Sequence, residues 1–179
     1  KWSAVSGGFM MELVVLEATR LGLGTCWVGG TFKKGSFAKA AGLPDGQTLM
    51  AILPVGEAAR RTGLLDKILH MAARSGRRRP FGELFFMNNF STPLPEDGQF
   101  AGPLSLMRLA PSASNSQPWR ALVRGNQVDF YYKPGRFTLI DMGIGLYHFS
   151  LEAGQGTFED KSTEVPQRGE FQYVLSWIR

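Results

Sequence analysis

Apolar positions run almost unbroken over residues 10–23, interrupted mainly by Glu12, Glu17 and Arg20. Their number and the lack of proline predict a largely buried helix rather than a strand, ended by Gly22 and Gly24. A short helix is expected over 36–41, stopped by Gly42-Leu43-Pro44. The run QTLMAILPVG reads as a buried strand over 48–55, halted by Gly56. GLLDKILHMAARSG, residues 63–76, has the spacing of a short amphipathic helix, and ELFF is a brief apolar segment. NNFSTPLPEDGQFAGP is dense in Pro, Gly, Asn and Asp and reads as a connector.

Beyond the connector a helix is expected over 104–110, ended by Pro111, because the residue before proline resists helical geometry. Residues 120–124 and 127–132 read as two strands joined by a Gly125-Asn126 turn. IDMGIGLYHFSLEAGQGTFED predicts a further helix, with Asp141 as its N-cap. EFQYVLSWIR reads as a strand in which Tyr173, Leu175 and Trp177 make one wholly apolar face. Two segments are alike. MELVVLEATRLGLGT and MGIGLYHFSLEAGQGT each carry an apolar helix, then Glu-Ala, then Gly-x-Gly-Thr, and a strand follows each after a spacer. Two unrelated buried helices with glycine ends would share these features, but the repeated order of elements favours a duplicated half-domain. The expected fold class is α+β, a mixed or antiparallel sheet flanked by helices, in two related halves about a pseudo-twofold axis.

Composition narrows the picture. With 179 residues, 44% of them hydrophobic, the chain can fill one sizeable core or two small halves sharing one. The net charge of +5 suits an anionic ligand at least as well as nucleic acid. RSGRRRP, residues 74–80, has no interleaved aromatics, which argues against a nucleic-acid surface. The single cysteine, Cys26, excludes an internal disulfide and fits a reducing, cytoplasmic compartment; its apolar neighbours predict an inert, buried thiol. One Cys and two His, His70 and His148, do not suggest a zinc site. No apolar run is long enough to span a membrane. There is no initiator Met and no signal-peptide pattern, so a stretch from the middle of a longer protein is expected.

Candidate chemistry gathers in three places. APSASNSQPWR, residues 110–120, holds more hydroxyls and amides than a loop needs. In an extended RRR segment, Arg77 and Arg79 would point to one side and Arg78 to the other. Guanidinium forks match phosphate oxygens. Gly29 and Gly30 lack the Cβ that would keep backbone away from a planar ring.

The loop PSASNSQPW resembles the Pro-Ser-x-x-Asn-x-Gln-Pro-Trp run of FMN-dependent nitroreductases. TCWVGGTF is similar to the family segment whose backbone amides approach the flavin, and ILPVG followed by RRRPFGELFF is similar to its late strand and basic phosphate-binding pair. The Ser-Asn loop comes last here, an order that resembles the tandem subfamily, in which one chain carries two halves and mimics a homodimer. Residues 1–87 would be the C-terminal part of the first half, 88–103 the connector and 104–179 the second half.

The resemblance implies bound FMN. Trp27, Gly29 and Gly30 would belong to the flavin-binding segment, with the two glycine amides toward N5 and O4. Arg77 and Arg79 would hold the phosphate, and Pro111, Ser112 and Asn115 would supply what the other subunit gives elsewhere. The family's Arg-x-Ser-x-Arg motif is absent and is expected upstream. The second half has GQGTFED where the first has CWVGGTF, and no basic pair follows it, so at most one flavin site per tandem unit is expected. The implied activity is an oxidoreductase in which NAD(P)H reduces FMN and then a nitroaromatic or quinone-like acceptor. The alternative is a non-enzymatic flavin-binding or storage protein. Expected partners are a small-molecule acceptor and neither nucleic acid nor membrane. One pseudo-dimeric chain is expected, with a homodimer as the alternative.

Overall fold

A computed structural model describes residues 1–58 and 76–179. The helix expected over 63–76 falls, but for Gly76, outside them, as does His70. The described chain runs α1 (Trp2–Arg20), β1 (Gly24–Thr25), α2 (Lys34–Ala40), β2 (Val55–Gly56), α3 (Phe81–Leu84), β3 (Phe85–Met87) and α4 (Ala101–Leu109). A 3₁₀ turn (Ala113–Asn115), β4 (Trp119–Arg124), β5 (Gln127–Tyr132), α5 (Thr138–Ser150), β6 (Thr157–Glu159) and β7 (Gln172–Ile178) complete it.

The main sheet has the order β3-β4-β5-β7-β6. β3 and β4 are parallel and the remaining pairs antiparallel, so the sheet is mixed and the fold is α+β, as expected. Strand alternation divides its side chains. Trp119, Ala121 and Val123 of β4 and Val128, Phe130 and Tyr132 of β5 face a core shared with α4 and α5. Leu122 and Tyr131 face a smaller cluster with Phe86, Val165 and Phe171. In β7 a register shift opposite Phe130 and Tyr131 breaks the simple alternation. Tyr173 therefore packs with the smaller cluster while Leu175 and Trp177 stay in the main core. The same strand carries fully buried Ser176, which donates to Asp129 Oδ1 at 2.6 Å, and Arg124 closes that polar pocket with an ion pair to Asp129 at 2.7 Å.

Five expectations are corrected: the start of the first helix, its burial, the strand over 48–55, the buried Cys26 and the start of the helix over 104–110. The first helix begins at Trp2, not residue 10, and carries Gly7 and Gly8 inside it. It is also only half buried: Val5, Gly8, Glu12, Val15 and Ala18 face inward, whereas Met10, Leu13 and Val14 are exposed. Residues 48–55 do not form a buried strand. Among the described residues their strand pairing is with residues 24–28, through the Val28–Ile52 bridge and the β1–β2 pair, and Met50 and Val55 remain exposed. Cys26 is exposed for the same reason, since it lies on this thin ribbon. The helix expected over 104–110 starts at Ala101, because Pro103 is tolerated in a first turn, where its missing N–H has no helical acceptor.

α1 crosses α5 at backbone distance. A Cβ on Gly143 would collide with the Val5 carbonyl oxygen and sit 2.7 Å from the Phe9 nitrogen, and one on Gly8 would collide with the Ile140 carbonyl. Gly143→Val should therefore destabilise the fold by about 3 kcal/mol or more, read as a lower denaturant midpoint. Gly7→Ala, one residue from Gly8 with nothing within 4 Å of the new Cβ, should be neutral or stabilising by up to about 1 kcal/mol. Equal effects from the two substitutions would contradict this crossing.

Candidate functional site

Pro111 ends α4 and throws the chain into a tight polar loop. Ser114, Asn115 and Gln117 all adopt positive φ, at 52°, 52° and 46°. Such geometry costs free energy for residues other than glycine and persists only where side chains hold it. Here they do. Ser112 Oγ accepts from the Gln117 amide at 3.0 Å. Asp141 of α5 accepts the Ala113 amide at 2.9 Å and the Ser116 hydroxyl at 3.5 Å. Asp141 is thus not the helix N-cap, a position taken by Phe137; it sits in the first turn and holds the loop.

The loop in turn holds the arginine segment. Asn115 Nδ2 donates to the Arg77 carbonyl at 2.8 Å, and Gln117 Oε1 accepts the Arg79 amide at 2.8 Å. Arg78 reaches the Leu109 carbonyl at 2.9 Å and Asn115 Oδ1 at 3.3 Å, and Arg108 donates to the Arg79 carbonyl at 2.7 Å. The two sequence motifs are laced together. Much of the loop's polarity is used in that lacing.

A cavity of about 310 Å³ opens beside this junction, near the lower limit for small-molecule sites. Arg79, Ser114, Ser116 and Asp141 line it together with Arg120, Lys133, Arg136 and Phe137. Of the residues singled out from sequence, Arg79 lines it directly. Pro111, Ser112, Asn115 and Arg77 stand behind the wall rather than in it. Gly29 packs against Phe137, whose ring would lie 3.0 Å from a Cβ placed there, while Gly30 is exposed with open space around it. Trp27 is tied elsewhere: its Nε1 donates to Glu12 at 3.0 Å, and Glu12 also meets His148 Nε2 at 2.8 Å. Among the described residues, no group of three or more His, Cys, Asp or Glu could hold a metal. No described helix is long and apolar enough to cross a membrane.

Sequence reading missed Arg120, Lys133, Arg136 and Phe137. They are far apart in sequence and meet because Trp119 pairs with Tyr132, Lys133 N–H bonds to Pro118, and the Pro134-Gly135 turn leads into α5. The one available signal was the basic pair of KPGR directly before a helix start.

Burial raises the Asp141 carboxyl from 3.8 to about 6, against the opposing bonds from Ala113 and Ser116. The folded chain then binds this proton more tightly than the unfolded chain. Its stabilising effect is full below about pH 4 and is lost as pH rises through about 6. Asp141→Asn keeps an acceptor but cannot titrate. Between those two pH values, wild type should lose about 3 kcal/mol of unfolding free energy relative to D141N. Denaturant titrations at a series of pH values would check this; parallel pH curves for the two proteins would contradict it.

Comparison with known proteins follows the same lines. A crystal structure of a "putative nitroreductase" from Thermotoga maritima superposes with a TM-score of 0.57 at 23% sequence identity, covering 98% of this chain. The described fold is therefore nitroreductase-like. The match covers 64% of that relative, so this chain spans less than two thirds of its length. No curated protein matches the chain. The family model described as "Putative TM nitroreductase" matches residues 2–153, which is most of the sequence. The chain belongs to that nitroreductase family.

Proposed function

We propose that the chain forms the flavin-binding part of an FMN-dependent oxidoreductase of the nitroreductase type. NAD(P)H is the electron donor and a nitroaromatic or quinone-like compound the acceptor. One observation carries the reading. The Ser-Asn loop, Arg79 and the Gly29-backed Phe137 ring, taken from three separated parts of the sequence, converge on one cavity.

The residues present fit such a cofactor. Arg79, Arg120 and Arg136 offer guanidinium donors for a phosphate. Ser114 and Ser116 are exposed and present hydroxyls on the cavity wall, suited to a ribityl chain. A Cβ at Gly29 would press on the Phe137 ring at 3.0 Å, so glycine lets the backbone there lie close to the ring that lines the site. When bound, FMN supplies two-electron redox chemistry, taking a hydride from the nicotinamide and returning electrons to the acceptor. The chain's own residues bind, orient and shield; Arg77 acts through its backbone, which fixes the loop.

The tandem arrangement is part of the proposal, with residues 1–87 and 104–179 as two related halves. Local geometry supports it. Gly22 and Gly154 occupy equivalent places in the two similar segments and adopt φ of 75° and 79°. Each precedes a short strand that contains the matching threonine, Thr25 or Thr157.

Purified protein mixed with FMN and dialysed should keep the twin flavin absorbance bands, and NAD(P)H should bleach them under anaerobic conditions. Arg79→Ala should weaken FMN about tenfold, a modest loss because the side chain is 50% exposed and shared with Glu83 at 3.7 Å. A protein that releases all flavin, alone and when extended at its N-terminus, would end this reading. Retained FMN that no nicotinamide reduces would favour the storage alternative.

A further inference from the structure

The crossing of α1 and α5 is reciprocal. Gly8 rests on the Ile140 carbonyl and Gly143 on the Val5 carbonyl, so one sequence offset exchanges Gly8 with Gly143 and Val5 with Ile140. The same offset lays Leu16-Glu17-Ala18 on Leu151-Glu152-Ala153. It also matches two helix faces of very different exposure. In α5, Met142, Leu146 and Phe149 are buried, and a Cβ on Gly145 would meet Met107 of α4 at 3.1 Å and Trp119 of β4 at 3.2 Å. Phe149 lies edge-on to Phe130 of β5 at 5.0 Å. The matching positions of α1 are Gly7, Met11, Val14 and Met10, and all four are exposed, Met10 at 62%.

The strands that follow repeat the contrast. Thr25 pairs with Val55 as Thr157 pairs with Ile178, so β1 and β2 stand to each other as β6 and β7 do. On its other side β7 takes β5 along its whole length. The run 48–55 pairs on its other side with no strand among the described residues. α1 leads directly into β1, so a bare apolar helix face and an unpaired strand edge belong to one unit. Each is a surface that folded proteins normally cover.

We infer that these two surfaces are one docking site, and that its occupant is a helix and β-hairpin equivalent to α4, β4 and β5, carried by the chain N-terminal to Lys1 in a longer protein. The order of elements places it there: α4, β4 and β5 precede α5, so their equivalents precede α1. A hairpin strand pairs with the open edge of 48–55 and lays its apolar side on Met10, Met11 and Val14. Glu17 and Arg20, near the C-terminal end of α1, pair with each other at 2.6 Å and bring no net charge to the contact. A second copy of α1 would cover the helix face and leave the strand edge open; a sheet satisfies both. The inference rests on the two-halves reading and needs no flavin.

Thiol accessibility tests it. Val14→Cys, Met10→Cys and, as a control at an exposed site, Glu96→Cys are each made in a Cys26→Ser background. Each is made both in the 179-residue chain and in the protein extended upstream along its reading frame. Labelling rates are compared without flavin. Val14→Cys and Met10→Cys should label freely in the shorter chain and about a hundredfold more slowly in the extended one. Glu96→Cys should label alike in both. Sedimentation of the shorter chain tests the rival occupant: a dimer that Val14→Asp converts to monomer would assign the face to a second copy and overturn the inference. Unchanged labelling of both α1 variants in the extended protein would overturn it too, as would a reading frame too short upstream for a helix and a hairpin. Protection in an extended protein that binds no FMN would keep this docking site and remove the flavin proposal. FMN bound by an extended protein whose α1 face still labels freely would do the reverse.

Discussion

The site depends on the crossing of two helices at backbone distance. Gly8 rests on the Ile140 carbonyl, and Gly143 on Val5 and Phe9, so α1 and α5 approach more closely than side chains would permit. Such an approach is set by sterics and leaves little freedom to slide. It fixes the first turn of α5, from which Asp141 reaches the Ser-Asn loop and Thr138 and Phe137 face the cavity. The same crossing buries Glu12, fully inside, between Trp27 and His148. Trp27 holds the segment that brings Gly29 against Phe137. Two parts of the candidate site thus trace back to one contact between glycines.

The second constraint is the exchange of hydrogen bonds between loop and arginine segment. Each supplies what the other lacks. The arginine segment offers carbonyls and amides that lie outside any helix or strand; the loop has side-chain amides at Asn115 and Gln117 to meet them. Buried backbone groups need partners, and a loop in strained φ needs fixed ones. Asn115→Ala would therefore disturb the cavity wall from behind, by removing the Nδ2 bond to the Arg77 carbonyl and leaving Gln117 to hold it at 3.3 Å.

How much of this was readable follows from range. The hairpin of β4 and β5 was legible almost to the residue, because Gly125-Asn126 encodes the turn locally and Gly125 takes the positive φ it demands. Pro111 marked the end of α4 for an equally local reason. The strand expected over 48–55 misled because its apolar run met no second layer among the described residues, and pattern alone cannot say whether a partner exists. The first helix misled in the opposite direction: expected from residue 10, it begins at Trp2 and holds Gly7 and Gly8 inside it, because tertiary contact overrides helix propensity. Arg79 and the Ser-Asn loop were legible as motifs. Arg120 and Arg136 were not, since neither belongs to a motif and their meeting follows from strand register and one turn.

The free-energy balance of the site explains why its charges matter. Asp141 is held ionised near neutrality against its burial, and Arg120 is held charged beside two other guanidiniums. Neither arrangement favours the fold. A core optimised for stability would replace both with apolar groups or pair them. The chain instead keeps the carboxylate to fix a loop and the guanidinium to face a cavity. Titratable groups shifted in this way cluster at working sites, because there the cost is offset when a ligand of complementary charge arrives. On this view an anion in the cavity offsets the cost at Arg120 alone, and ligand binding and fold stability are linked there, while Asp141 remains a cost the fold carries to fix the loop.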